Sequence, residues 1–317
     1  MKFIALTLAG LLGLGGAQAQ TAWPAKPVRI VVGFPPGTTG DILARIAAPR
    51  MSESLGQPVL VENRPGAGSS IAAEAVAKSA ADGNTLLLST IANAINPSLY
   101  KLGFDFSRDL AAVALIADVP GLLVAHPSAP TSVQALIAAA KANPGKIPYA
   151  SSGNGTVTHL WGEMLNGSAG IRLVHVPYKG SSQAVTDLLG GNVALLFTPA
   201  STVIPHVAAG KLAALAVIGR QRLAALPDVP TMTEQGVAGF ESGLWFGLNA
   251  PAGTPPAVIE RLNAEARRAF SAAEVKAQLA TQGIVSAPGS ADSFAAFIRG
   301  ETDKWARVVR ESGAKAD

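Results

Sequence analysis

Val28-Arg29-Ile30-Val31-Val32-Gly33-Phe34-Pro35-Pro36-Gly37-Thr38-Thr39-Gly40-Asp41 runs directly into Ile42-Leu43-Ala44-Arg45. The β-branched apolar run reads as a strand covered on both faces. Gly, Pro and Thr end it, and a helix-forming segment opens at once. Strand, short loop and helix in that order aim free backbone N–H groups and the positive end of a helix dipole at one spot. Such a spot suits an anion and needs no charged side chain. Ala150-Ser151-Ser152-Gly153-Asn154-Gly155-Thr156 repeats the device. Two such loops facing each other across a cleft would make a small-anion receptor.

The alternation continues outward. Apolar runs at 28–34, 58–61, 85–89, 112–125, 147–150, 172–177, 193–198, 212–218 and 246–250 are separated by segments with helical signals. This pattern predicts an α/β protein with largely parallel sheets. One helix is clear from its period: Phe294, Phe297, Ile298, Trp305, Val308 and Val309 share a face of 291–310, and Ser290 can cap it. Pro49 falls inside the helix expected over 41–55, which should kink or break there. No low-complexity linker separates two halves. The run 112–125 and the region 216–250 read instead as places where the chain crosses between lobes. Lobe one is then discontinuous, 20–118 plus 248–317, and lobe two is 119–247.

Composition sets the class. Of 317 residues, 49% are hydrophobic, 15% charged and 5% aromatic, so Ala, Val, Leu and Ile build the core of a globular chain. The formal charge of +4 is scattered, with no basic run, which argues against nucleic acid. There is no cysteine, hence no disulfide, thiol nucleophile or lipid anchor on a thiol. Lys2, the apolar stretch 3–17 and Ala17-Gln18-Ala19 read as an export signal cleaved after Ala19. The stretch is shorter than the ~20 residues a spanning helix needs, so no stable membrane insertion is expected.

Enzyme signatures fail. Neither G-x-S-x-G nor a P-loop lysine occurs, and the S-x-x-K matches at 98–101 and 312–315 lack their companion motifs. His126, His159, His175 and His206 have no metal-ligand spacing. No catalytic residue, metal or cofactor is expected. Asp41 reads as charging the first turn of its helix, 63–68 as a structural turn, and Lys179 as a solvated side chain.

Seven segments in order carry a resemblance over the whole mature length. They are the loop 34–45, Val61-Glu62-Asn63-Arg64-Pro65-Gly66-Ala67-Gly68, Ala92-Asn93-Ala94-Ile95-Asn96-Pro97-Ser98-Leu99, Tyr149-Ala150-Ser151-Ser152-Gly153, Val174-His175-Val176-Pro177-Tyr178-Lys179-Gly180, Ala225-Leu226-Pro227-Asp228-Val229-Pro230-Thr231 and Trp245-Phe246-Gly247-Leu248. The chain resembles the Bug-type periplasmic receptors of tripartite tricarboxylate transporters. The resemblance implies a two-lobed periplasmic-binding-protein fold of type II, a Venus flytrap with its ligand cleft between the lobes. It implies a monomer in the periplasm that captures a small carboxylate and delivers it to the membrane permease subunits.

The family's ligand sites carry over loop by loop: Phe34, Pro35, Pro36, Gly37, Thr38 and Thr39 in the first loop, and Thr90 and Asn93 after the third strand. Ser151, Ser152, Gly153, Gly155 and Thr156 follow in the lobe-two loop, then His159 one turn into the next helix and Thr198 at a strand end. Such positions, strand ends and helix starts, are where open α/β sheets bind ligands. Thr38 stands where the family usually has a second glycine, Asn93 where it often has His, and Thr198 where it usually has an acid. Without that acid, a carboxylate lacking an α-ammonium is the expected ligand. The other readings are an exported enzyme acting on a small anionic substrate and a ligand-sensing partner of a membrane regulator.

Overall fold

The computed structural model describes residues 23–241 and 243–315; the export signal at 1–19 lies outside them. The chain begins with β1 (Val28–Val32), α1 (Thr39–Leu55), β2 (Val59–Asn63), α2 (Ser70–Ala77), β3 (Thr85–Thr90), α3 (Ile91–Leu99), α4 (Phe106–Asp109) and β4 (Leu110–Val119). It then passes to β5 (Gly121–Ala125), α5 (Val133–Ala142), β6 (Pro148–Ser151), α6 (Val157–Ala169), β7 (Val174–Pro177), α7 (Ser181–Leu189), β8 (Leu195–Pro199), α8 (Ala200–Ala208) and β9 (Ala213–Ile218). It returns through β10 (Leu244–Pro251), α9 (Pro256–Ser271), α10 (Ala273–Ala280), β11 (Val285–Ser286) and α11 (Ala291–Ser312).

Two sheets result, one per lobe. The first has the order β11-β4-β10-β3-β1-β2 and the second β7-β6-β8-β5-β9. The single apolar run 112–125 is two strands in two sheets. Pro120 divides them: it has no N–H for a ladder, and its carbonyl instead accepts from Ala200 N–H at 2.8 Å. The expectation of largely parallel sheets needs correction. β1 pairs parallel with β2 and β3, and β6 with β7 and β8. The crossing and returning strands are antiparallel: β10 runs against β3 and β4, and β5 against β8 and β9. A strand that enters a sheet from the other lobe arrives from the opposite end.

Pro49 does not break α1, which runs continuously from Thr39 to Leu55. Leu43, Ala44, Ile46, Ala47, Ala48 and Met51 are buried along its inner face, and this packing outweighs the lost backbone hydrogen bond.

One hydrophobic cluster spans both lobes. It joins Leu87, Ile91 and Ile95 of lobe one to Leu123, Tyr149, Trp161 and Phe197 of lobe two, through Phe294, Ile298 and Trp305 of α11. Helix α11 begins under a Ser290 cap on Ser293 N–H and packs on α3, β4 and α6. Its Glu301 carboxylate accepts from both buried indoles, Trp245 Nε1 at 3.1 Å and Trp305 Nε1 at 3.0 Å, and pairs with Lys304 at 2.8 Å. Each fully buried aromatic contributes roughly 1.5–3 kcal/mol, so α11 fastens the lobes together through this cluster.

Candidate functional site

A cavity of about 320 Å³ lies where the two sheets' loops meet. Lobe one lines it with Phe34, Thr38, Thr39 and Gly40, with Gly68, and with Thr90, Ile91, Ala92, Ile95, Asn96 and Tyr100. Lobe two supplies Ser152, Asn154, Gly155, Thr156 and Val157, and β10 adds Leu244 and Phe246. The starts of α1, α3 and α6 thus converge on one space. None of these lining residues is charged.

Each helix start is built by local chemistry. In the first loop Gly37 takes φ +81°, a conformation that favours glycine. Thr38 occupies the cap position of α1, but its Oγ1 donates to Pro35 O at 2.9 Å and caps nothing. The first-turn amides of α1 therefore have no side-chain acceptor. Asp41, buried in that turn, holds the loop. Its Oδ2 accepts from Gly37 N–H and Arg45 Nε, each at 2.9 Å, and its Oδ1 accepts from Asn63 Nδ2 at 2.9 Å. The Arg45 hydrogen bond leads in holding the Asp41 carboxyl down at about 2, against the opposing effect of burial.

The loop before α2 is unusual. Gly66, Ala67, Gly68 and Ser69 have φ of +133°, +45°, +57° and +77°. For Ala67 and Ser69 this left-handed backbone costs roughly 1–2 kcal/mol each. Asn96 on α3 compensates: its Nδ2 donates to Ala67 O at 3.2 Å, Gly68 O at 2.8 Å and Ser70 Oγ at 2.9 Å. Ser69 sits at the α2 cap without making a side-chain cap bond.

At α3, Thr90 Oγ1 accepts from Ala92 N–H at 3.2 Å, and Asn93 Oδ1 accepts from Thr90 N–H at 2.9 Å. In lobe two, Thr156 caps α6 by accepting from His159 N–H at 3.4 Å and donates to Gly153 O at 2.7 Å. Ser152 leans on Thr158 Oγ1, with its N–H at 2.9 Å and its hydroxyl at 2.8 Å. Burial pushes His159 below its ordinary value, with Glu163 acting against it, and takes His175 to about 4, helped by the neighbouring His159.

The expected site residues fall into three groups, with Thr198 apart from them. Phe34, Thr38, Thr39, Thr90, Ser152, Gly155 and Thr156 line the cavity together. Pro35, Pro36 and Gly37 form the exposed turn beside it. Asn93, Ser151, Gly153 and His159 stand behind the wall, with Asn93 and Ser151 hydrogen-bonded into the loops that face the cavity. Thr198 is fully buried on β8 opposite Leu122, and its Oγ1 finds no partner.

Gly40, Gly68, Ile91, Ala92, Ile95, Asn96, Tyr100, Asn154, Val157, Leu244 and Phe246 line the cavity outside the expected set. The α3 residues had a signal, since Ile91 and Ile95 are spaced to share a helix face. Leu244 and Phe246 alternate on β10, and nothing local says that this strand returns beneath the cleft. Among the described residues no group of three or more His, Cys, Asp or Glu converges to hold a metal, and no helix is long and apolar enough to cross a membrane.

Backbone N–H groups, hydroxyls and an apolar wall in a cavity shared by two α/β lobes are the features of the two-lobed periplasmic-binding-protein fold. Residues 43–314 match the tripartite tricarboxylate transporter family receptor, and the chain belongs to that family. It is similar to protein BugT of Bordetella pertussis, with 40% identity over 307 residues, 96% of this chain and 94% of that protein. Among solved structures it is similar to R. palustris Rpa4515 with adipate, at TM-score 0.77 and 34% identity, covering 92% of this chain and 99% of that one. MatC from Rhodopseudomonas palustris, with bound malate, gives TM-score 0.74 and 30% identity, covering 90% of this chain and all of that one. The family is one of substrate-binding receptors and not of enzymes.

Proposed function

We propose that the protein captures a small carboxylate between its lobes and delivers it to the membrane permease of a tripartite transporter. The observation that carries this reading is the convergence of three helix starts from both lobes on a cavity with no charged lining residue. Each helix start offers about half a positive charge and unsatisfied N–H donors. A carboxylate accepts from several such donors at once.

The ligand class follows from pairing. A buried ammonium needs an acceptor, preferably anionic. The cavity lining offers no carboxylate, and Asp41 is committed to Gly37, Arg45 and Asn63. We therefore assign a carboxylate without an α-ammonium. Adipate and malate, found in the two similar proteins, are of that class and support it.

The same reading makes the cavity-lining members of the expected set the contact residues, keeps a monomer, and has the chain exported with cleavage after Ala19. It retains the lobe division at 20–118 plus 248–317 and 119–247. The β4–β5 passage at Pro120 and the placement of β10 in the first sheet support a discontinuous lobe one of this kind.

The test is a thermal-shift panel of carboxylates and amino acids, with mass spectrometry of any acid that co-purifies. A ligand at 100-fold its dissociation constant should stabilise by about 2.7 kcal/mol. A shift with adipate, succinate or malate supports the reading. A shift with aspartate or glutamate alone would overturn the ligand class, and no shift with any acid would overturn the function.

A further inference from the structure

Behind the lobe-two loop lies a stack of rings that touches no cavity surface. His159, in the first turn of α6, and His175, on β7, lie face to face with centroids 3.8 Å apart and planes 7° from parallel. Tyr149 of β6 also stacks with His175, at 5.1 Å. Each imidazole is bonded to the loop. His159 Nδ1 accepts from Gly155 N–H at 3.1 Å. His175 Nε2 is 2.6 Å from Ser151 Oγ, which also accepts from Gly153 N–H at 3.1 Å. Tyr149 OH anchors the far side, its one proton directed to Glu163 at 2.7 Å with His159 O also in reach at 3.1 Å.

These bonds decide a protonation pattern. A ring nitrogen that accepts an N–H bond carries no proton, so neutral His159 bears its proton on Nε2. Two imidazolium ions at stacking distance would repel strongly away from water. The stack therefore admits at most one charge, and His159 must be neutral because Gly155 N–H has its acceptor only while His159 Nδ1 is free; burial disfavours a charge on His175 as well.

Resting on the carboxylate-receptor reading, we propose that His159 and His175 are positioning residues: stacked, neutral and out of the ligand's reach, they hold Ser151, Gly153 and Gly155 so that the lobe-two loop presents its donors to the anion. His159 acts through the Gly155 amide, and His175 through the Ser151 hydroxyl. The pair acts at a distance in sequence, because β7 must lie beside β6 for the second ring to reach the loop.

The test separates this idea from the functional reading. Nitrogen NMR of the full, ligand-free protein, labelled in histidine and assigned with His159→Asn, should show His159 protonated on Nε2 and not on Nδ1; the opposite tautomer would overturn the proposal. Adipate titrations supply the second arm. His159→Leu and His175→Phe should weaken binding roughly tenfold or more, since each removes one loop bond. His159→Asn keeps an acceptor at the Nδ1 position and should stay within about threefold of wild type. Should His159→Leu fail to fold, His159→Gln takes its place, because its polar end reaches the Nε2 position instead. Equal binding by the Leu and wild-type proteins, or equal weakness of the Asn and Leu variants, would overturn the proposal. A wild-type protein that binds no carboxylate would defeat the functional reading, and the tautomer would still judge this one.

Discussion

Asn63 Nδ2 donates to Asp41 Oδ1 at 2.9 Å, and the same nitrogen reaches Phe34 O at 3.0 Å. One amide from the end of β2 thereby pins both sides of the loop that opens α1. Asp41 spends its remaining oxygen on Gly37 N–H and Arg45, so the carboxylate shapes the anion site without entering it.

Asp41→Ala should destabilise the protein by roughly 1.5–3 kcal/mol, the usual effect of removing a buried charged hydrogen-bonding group. Urea unfolding at pH 7 measures it. The sign with pH follows from the carboxyl, lowered from 3.8 to about 2 in the fold. Its stabilisation is full above 3.8 and is lost as pH falls toward 2. The difference between wild type and variant should shrink across that window. A gap that stays constant down to pH 2 would contradict the argument.

Recognition by uncharged donors makes a ranking. Ser152→Ala should weaken adipate binding by roughly 1.5–3 kcal/mol, because an anion loses a hydrogen bond. Lys179→Ala should change it little, since the exposed Lys179 is not part of the cavity lining. Calorimetric titration decides, and the reverse order would show that a cation outside the cavity dominates.

The α11 bridge is testable through Trp305, which is fully buried in the cluster shared by both lobes. Trp305→Ala should cost about 3–5 kcal/mol and leave the Glu301 carboxylate with one indole donor fewer. If the bridge couples the lobes, the variant should also unfold less cooperatively, with separate transitions seen by different probes. A single, unshifted transition would rule the bridge out.

Two partly buried groups, Asp118 and His175, titrate against each other. Asp118 sits near the end of β4, with Oδ1 buried and unpartnered, and burial raises its carboxyl to about 6 despite the opposing Arg220. Its ionised form therefore destabilises the fold above pH 6, and the penalty disappears as pH falls toward 3.8. His175, lowered from 6.5 to about 4, acts in the other direction: its neutral form stabilises above 6.5, and that is lost as pH falls toward 4. Asp118→Asn should stabilise by about 2 kcal/mol at pH 7.5 and by much less at pH 4. Its stability should then decline with acid through 6.5 to 4 more steeply than the wild type's. Melting curves at matched pH check both statements; no gain at pH 7.5 would show that Asp118 is not strained.

Much of the site was legible because its chemistry is local. A β-branched run, a Gly/Pro/Thr loop and a helix start need only neighbouring residues, and Phe34, Thr38, Thr39, Gly155 and Thr156 all reach the cavity from such units. The errors also have local causes. Pro49 carries a local backbone penalty that predicts a break, while the buried face of α1 overrides it. By contrast, the run 112–125 reads as a crossing between lobes, and the structure divides it at Pro120 into strands of two sheets.

The sequence by itself determined the strand–loop–helix units, the helix dipoles they aim and the absence of thiol chemistry, since all three depend on residue type and short spacing. Only the tertiary structure decided which donors face the ligand. Ser151 turns to His175, 24 positions away in sequence; Asn96 clamps a loop nearly 30 residues upstream; and Leu244 and Phe246 floor the cavity because β10 slots between β3 and β4. Those relations rest on sheet order and packing, which set distances between residues that the sequence keeps far apart.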